Sequence, residues 1–174
     1  AVLDALARKI ADFPPLPDSG GRGVAYAQYK NQMTRVGICV DVDSNDRAEI
    51  RLKRAAIVAD AGRVVDADGL AAQLEGGFIQ AASWALYEEV TWDRDGVLSR
   101  DWDSYPVIRF DNIPSIDVAI LTEQDAPSSG AGEASPGPAI AAIANAVFDA
   151  TGVRMRRLPF RPNAIRRTAM LDER

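Results

Sequence analysis

Three features of the sequence predict an α+β fold: one mixed, mainly antiparallel sheet with two principal helices packed on it. Val36, Ile38, Val40 and Val42 alternate with other types, as Ile50 and Leu52 do with Glu49, Arg51 and Lys53, which is the period of strands with one buried face. Leu70, Leu74, Phe78, Ala81 and Ala85 fall on one stripe at helical spacing. A second apolar helical run is bracketed by Ser135-Pro136 as a start and Gly152 as a stop. With 174 residues, 47% of them apolar, the chain can bury a sizeable core without staples.

In order, Val2 to Phe13 reads as an amphipathic helix ended by Pro14-Pro15, and Pro17 to Gly21 as a flexible link whose glycines lack the spacing of a phosphate loop. From Gly23 to Val58 two long antiparallel strands are expected. Asp41, Asp43, Asn45 and Asp46 at their junction resemble half of a calcium loop, but Asp46 and Leu52 stand where such a loop needs Gly and Glu, so a solvated turn is the better reading. The apolar helix spans Asp66 to Val90. Gly76-Gly77 in its middle costs about 0.8–1.0 kcal/mol per glycine relative to alanine, so a strand backbone or a ligand should approach it closely. Strands are expected at Val90 to Asp93 and Gly96 to Arg100, joined by a turn, and at Pro106 to Phe110 and Ile116 to Leu121. A Ser-, Gly- and Pro-rich loop, Thr122 to Pro138, carries Gly130-Ala131-Gly132-Glu133 and leads into the last helix. Residues 1–152 form one domain in this reading, and residues 153–174 a basic extended tail that docks on it or on a neighbouring domain.

Composition excludes several chemistries. There is no histidine, which removes Ser-His and Cys-His catalysis, haem ligation by histidine and the usual zinc sites. The single cysteine, Cys39, allows no internal disulfide and no cysteine-ligated iron–sulfur cluster within this chain. No apolar run approaches the roughly 20 residues of a membrane span. Twenty basic against 25 acidic residues give a net charge of −5, which argues against nucleic-acid binding. The charge is nevertheless uneven: six arginines and no acid lie between Arg154 and Arg167, so the tail should dock on something acidic.

Glu133 lies just before a helix N-terminus, where free backbone amides favour anions. It could project as a base while the amides of residues 129–132 hold a phosphate or pterin, or it could cap its own helix. Gln73 is equally open, because a glutamine on such a helix can serve a ligand or a backbone group.

The order of motifs narrows these alternatives. Gly21-Arg22-Gly23-Val24-Ala25, Ala72-Gln73-Leu74-Glu75-Gly76-Gly77-Phe78-Ile79-Gln80, Ser83 to Val90, Trp102-Asp103-Ser104-Tyr105-Pro106, Gly130-Ala131-Gly132-Glu133 and Ala144 to Val153 occur in succession. Together they resemble the C-terminal part of the molybdenum-binding subunit of the xanthine dehydrogenase and aldehyde oxidase family, in particular its bacterial isoquinoline 1-oxidoreductase and nicotinate or aldehyde dehydrogenase type. The resemblance implies a molybdopterin cofactor, in bacteria usually the cytosine dinucleotide, and hydroxylation of an aldehyde or N-heterocycle with water-derived oxygen. It implies that Glu133 is the catalytic base, taking a proton from a molybdenum-bound hydroxyl, and that Gln73, Gly130, Ala131 and Gly132 hold the pterin. Molybdenum would be held by the pterin dithiolene, without a protein metal ligand in this chain. Iron–sulfur clusters are expected on a small partner subunit, and the remainder of the molybdenum subunit as a further partner. The family's large subunit is several times longer, so the chain is expected to be incomplete and inactive alone. The alternative is a non-catalytic α+β binding or assembly module that keeps the fold.

Overall fold

The computed structural model describes residues 1–29, 34–122 and 125–172. Along the chain come α1 (Val2–Ile10), β1 (Gly20–Tyr29), β2 (Thr34–Ser44), β3 (Ile50–Asp60), α2 (Ala67–Leu86), β4 (Trp92–Asp93), β5 (Gly96–Val97), β6 (Ser115–Leu121), α3 (Pro136–Thr151) and α4 (Pro162–Asp172). β1, β2 and β3 form an antiparallel meander, and β6 lies parallel to β3, giving the order β1-β2-β3-β6. The mixed, mainly antiparallel sheet and its two principal helices agree with the sequence reading.

Alternation along β2 sorts its side chains between two cores. Val36, Ile38, Val40 and Val42 join Ile57, Leu74, Phe78, Ile143 and Val147 beneath α2 and α3. Cys39 points the other way and meets Val2 and Leu6 of α1 with Ala56 and Val58 of β3. Burial pushes the Cys39 thiol up to about 11, so it stays protonated near neutrality. Asp41 is also in β2 and fully buried, not in a solvated turn as expected. Arg22 grips its two oxygens at 2.7 and 2.9 Å and Arg54 adds a contact at 3.3 Å. Both guanidinium groups lie 5.3 Å from the centroid of the Phe13 ring, which stands outside α1, since that helix ends at Ile10, three residues short of the expected Phe13. Asp43 is likewise in β2, paired with Gly20 and Arg51, whereas Asn45 and Asp46 do lie at the turn, where Asn45 Oδ1 accepts from the amides of Arg47 and Glu49.

Further boundaries differ from the reading, beginning with β4 and β5, which cover only Trp92–Asp93 and Gly96–Val97 of the strands expected at Val90 to Asp93 and Gly96 to Arg100. Between Gly23 and Val58 there are three strands and not two, because β1 begins at Gly20, inside what reads as a link. β1 shows little apolar alternation since its inward positions Gly21 and Gly23 lie directly beneath the α3 backbone. Helix α2 starts on its cap, Asp66, whose carboxylate accepts from Gly69 N at 2.9 Å, but it ends at Leu86 instead of Val90. There Phe160 N donates to Ala85 O at 2.6 Å, and Arg161 donates to Tyr87 O at 2.6 Å and pairs with Glu89. Pro106 to Phe110 is not a strand: Ile108 N is taken by Ser83 Oγ at 2.9 Å, not by a ladder, and a short 3₁₀ turn follows at Phe110–Asn112. The tail is extended as far as Arg161 and then helical, with Pro162 opening α4. Val153, Met155, Phe160 and Ile165 of the tail are buried in the main core. Glu123 and Gln124 of the long loop, and Glu173 and Arg174 of the tail, lie outside the described residues.

Candidate functional site

The loop that carries Glu133 is fixed at one end of the sheet. Ser129 N donates to Ala61 O at 2.9 Å, Ser129 Oγ lies 2.6 Å from Thr34 Oγ1, and Thr34 Oγ1 donates to Gly130 O at 3.0 Å. The start of β2 and the end of β3 thus hold the loop, while Asp60, paired with Arg35 at 3.1 Å, takes the Gly62 amide beside it. Gly62 has φ +69°, and a Cβ there would meet Pro127 O at 2.1 Å, so the loop lies directly on that turn.

From this anchor the chain presents Gly130, Ala131, Gly132 and Glu133 at the start of α3. Ala131 is buried, whereas Gly130, Gly132 and Glu133 are exposed. Glu133 Oε2 accepts a 2.8 Å hydrogen bond from the hydroxyl of Tyr29, the last residue of β1. Its carboxylate is therefore engaged with the sheet end and does not act as the cap of its own helix. Ser135 is the N-cap by position, yet its side chain makes no cap hydrogen bond, and its buried Oγ has no partner among the described residues.

Why α2 tolerates two adjacent glycines is visible here. A Cβ on Gly77 would lie 2.4 Å from Ser135 Oγ, so of the strand backbone or ligand that the sequence suggests the strand is not the neighbour: the start of α3 is. Gly76 meets nothing within 4 Å, and the same holds for Gly132 and Gly137 across the junction. Gln73, Gly76, Gly77 and Gln80 share one side of α2 at spacings of three and four. Gln73 is exposed on that side, one turn before the Gly77–Ser135 contact. The structure thus gathers the α2 stripe and the glycine loop at one end of the sheet, and leaves open space where three glycines lack side chains. Tyr29 is not singled out by the sequence, and Ser135 is marked only as the start of α3. No spacing relates them to Glu133 or Gly77, because the contacts are made across β1, α2 and α3.

The hydrogen bond to the Glu133 carboxylate, reinforced by that group's negative charge, raises the Tyr29 phenol above its ordinary range. For a group raised in the folded state, the associated stability is fully present below the unfolded phenol value near 10 and is lost as pH rises through the folded value. Replacing Glu133 with Gln should therefore shift one tyrosine to earlier ionisation in an alkaline absorbance titration, and Tyr29→Phe should delete that same step. Superimposable titration curves for the parent and Glu133→Gln proteins would contradict the contact.

Two clefts lie away from this end. One, of about 630 Å³, is lined by Ile50, Arg51, Leu86, Tyr87, Phe160 and Arg161, and the other, of about 740 Å³, by tail residues that include Arg154, Arg156, Arg157 and Arg167. Neither includes Glu133 or Gln73. Among the described residues no group of three or more acidic or cysteine side chains could hold a metal ion, and no helix is long and apolar enough to cross a membrane.

Fold and site together define an α+β domain whose glycine loop, tied to one end of the sheet, meets α2 where Gly77 lies against Ser135 and carries a carboxylate held by Tyr29. The chain belongs to the molybdopterin cofactor-binding domain family, whose model matches residues 7–114, including Gln73 and stopping short of the 130–133 loop. It is 39% identical over 153 residues to one of the subunits of nicotinate dehydrogenase from Pseudomonas putida, covering 84% of this chain and 13% of that protein. To the beta subunit of isoquinoline 1-oxidoreductase from Brevundimonas diminuta it is 35% identical over 150 residues, covering 83% and 19%. Among solved structures, quinoline 2-oxidoreductase from Pseudomonas putida 86 superposes with a TM-score of 0.73 at 25% identity, over 79% of this chain and 19% of that one. Aldehyde oxidoreductase from Desulfovibrio gigas gives 0.68 at 26% identity, over 79% and 15%. The chain therefore spans less than a quarter of the length of each of these relatives.

Proposed function

We propose that this chain is the part of a molybdopterin-dependent hydroxylase that supplies the catalytic base, Glu133, and one wall of the cofactor pocket. Gln73 and the backbone of Gly130, Ala131 and Gly132 form that wall. The observation that carries the reading is the open, glycine-lined junction of α2 and α3 beside a carboxylate that does not cap its helix. The donor set suits such a cofactor. Backbone amides at a helix start favour phosphate oxygens, missing Cβ atoms let a flat ring reach the main chain, and Ser135 Oγ is a buried hydroxyl with a bond still to make.

When bound, the molybdenum centre supplies oxygen transfer to the substrate carbon and accepts the electrons. Gln73 offers an amide donor and an acceptor to the pterin's polar edge. Tyr29, donating to Oε2, holds the Glu133 carboxylate in one orientation and leaves Oε1 to take the proton released during hydroxylation. A pocket of this kind buries 70–90% of its ligand, so the remaining walls come from the rest of the molybdenum subunit, and the isolated chain is inactive. The cytosine dinucleotide form of the cofactor, iron–sulfur clusters on a small partner subunit, and an aldehyde or electron-poor N-heterocycle as substrate complete the reading. The names of the relatives, which include nicotinate, isoquinoline and aldehyde enzymes, support that substrate class.

Gln73→Ala in the complete enzyme tests the wall. An exposed glutamine contributes little to folding, so stability should stay within about 0.5 kcal/mol of the parent. Loss of one or two hydrogen bonds, at about 1–2 kcal/mol in all, should weaken pterin retention by roughly 5–30-fold. Pterin content and release rate equal to those of the parent would remove Gln73 from the pocket.

A further inference from the structure

Between α2 and β6, residues 87–114 form an arm whose regular structure is confined to β4, β5 and the turn Phe110–Asn112. Hydrogen bonds fix its path. Tyr105 donates to Glu88 Oε2 at 2.7 Å, Leu98 N to Thr91 O at 2.8 Å, and Ile108 N to Ser83 Oγ at 2.9 Å. Tyr87 and Ile108 pack against the main core, but several other large apolar side chains of the arm are exposed. Trp92 is 72% exposed, Trp102 73% and Phe110 95%, and Val90, Val97 and Leu98 are each about half exposed. Trp92 and Val97 face each other across the β4–β5 pair. The three rings together leave roughly 400 Å² of apolar surface uncovered.

The arm is remote from the glycine loop. It leaves the C-terminal end of α2 and returns at the start of β6, which pairs with Arg54 of β3, whereas the 129–133 loop is tied to Ala61 just beyond the other end of that strand. Polypeptide that covers both must reach from the level of Arg54 to that of Ala61, roughly 24 Å along the strand.

We propose that this arm, through Trp92, Trp102 and Phe110, is the docking surface for the part of the molybdenum-binding subunit that lies outside the region this chain matches. Two observations select that occupant. In the quinoline and aldehyde oxidoreductase structures the corresponding region is 19% and 15% of one chain, so the remainder is large enough to span both ends and is permanently attached. Permanent interfaces are the apolar ones, resembling a core cut in half, whereas separately soluble partners keep more polar faces. Asp93, Arg94, Asp95, Arg100, Asp101 and Asp103 intersperse charge among the apolar residues along the arm, in keeping with the polar rim of such an interface.

The inference rests on the proposed subunit role for the identity of the occupant, and one experiment separates the two. The photo-reactive residue p-benzoylphenylalanine is placed at Phe110 and, separately, at Trp102 in the complete enzyme. After irradiation the adducts are mapped by mass spectrometry, and molybdenum is measured in the same preparations. Adducts on the same subunit outside residues 1–174 are expected from both positions. Adducts confined to another subunit or to a second copy, or no adduct from either position, would overturn the docking surface. Absent molybdenum with the expected adducts would instead count against the functional reading and leave the interface standing.

Discussion

In the complete enzyme, Glu133→Gln is expected to retain molybdenum and pterin near parental levels and to lower kcat by about 10²–10⁴-fold, the range for lost general-base catalysis. Glutamine keeps the length and shape of glutamate, and its amide oxygen can still accept the Tyr29 hydroxyl bond. What it lacks is a lone pair basic enough to take the proton. The loop itself is anchored through Ser129, Gly130 and Thr34 without help from the Glu133 side chain, so the substitution should not disturb the wall beneath it. Unchanged turnover in a fully loaded Glu133→Gln enzyme would remove Glu133 from the chemistry.

The largest expected effect on folding comes from Gly23→Ala. A Cβ at this position would sit 2.0 Å from Ala142 O and 2.3 Å from Ala146 N, both backbone atoms of α3. No side-chain rotation relieves that overlap, so α3 must lift from β1. Lifting it also strains the bonds by which α3 covers this sheet edge, from Arg22 N to Asp149 and from Asn145 to Val24 O. The cost should reach about 3 kcal/mol, the upper end for overpacking, seen as a lower denaturation midpoint at unchanged m-value. Because α3 begins at the 130–133 loop, pterin retention should fall as well. A variant within about 0.5 kcal/mol of the parent would show that the helix backbone does not lie against this glycine.

How far the sequence discloses this architecture depends on what each element packs against. Helix α3 is readable to the residue, since Pro136 opens it and Gly152 closes it at φ +72°. The strands β2 and β3 are readable because helices cover their faces and impose alternation. β1 is hidden for the opposite reason: helix backbone presses on Gly21 and Gly23, leaving no apolar side chains to alternate. Helix α4 is hidden by its own first residue, since Pro162 reads as extension when it follows Pro159 and as a helix start only when the run from Ala164 to Leu171 is weighed with it. Pro106 to Phe110 has the look of a strand, but its backbone bonds are taken by a side chain of α2.

For the site, Glu133 and Gln73 were named from ordered motifs, and the two are 60 positions apart in sequence. What brings their elements together is the contact of Gly77 with Ser135, which no local pattern encodes. The glycine pair does announce a close approach, correctly for Gly77, while Gly76 faces open space. Asp41 shows the limit of motif reading in the other direction. Its acidic neighbours suggest a turn, and its ion pairs with Arg22 and Arg54 under Phe13 belong to strand packing.

Metal and pterin analysis tests the central claim, that this domain is one wall of a molybdopterin pocket, most directly. The complete protein, purified with all its polypeptides, is expected to carry stoichiometric molybdenum and pterin, and the isolated 174-residue chain is expected to carry neither. A complete protein devoid of both, or an isolated chain that holds both in full, would contradict the account.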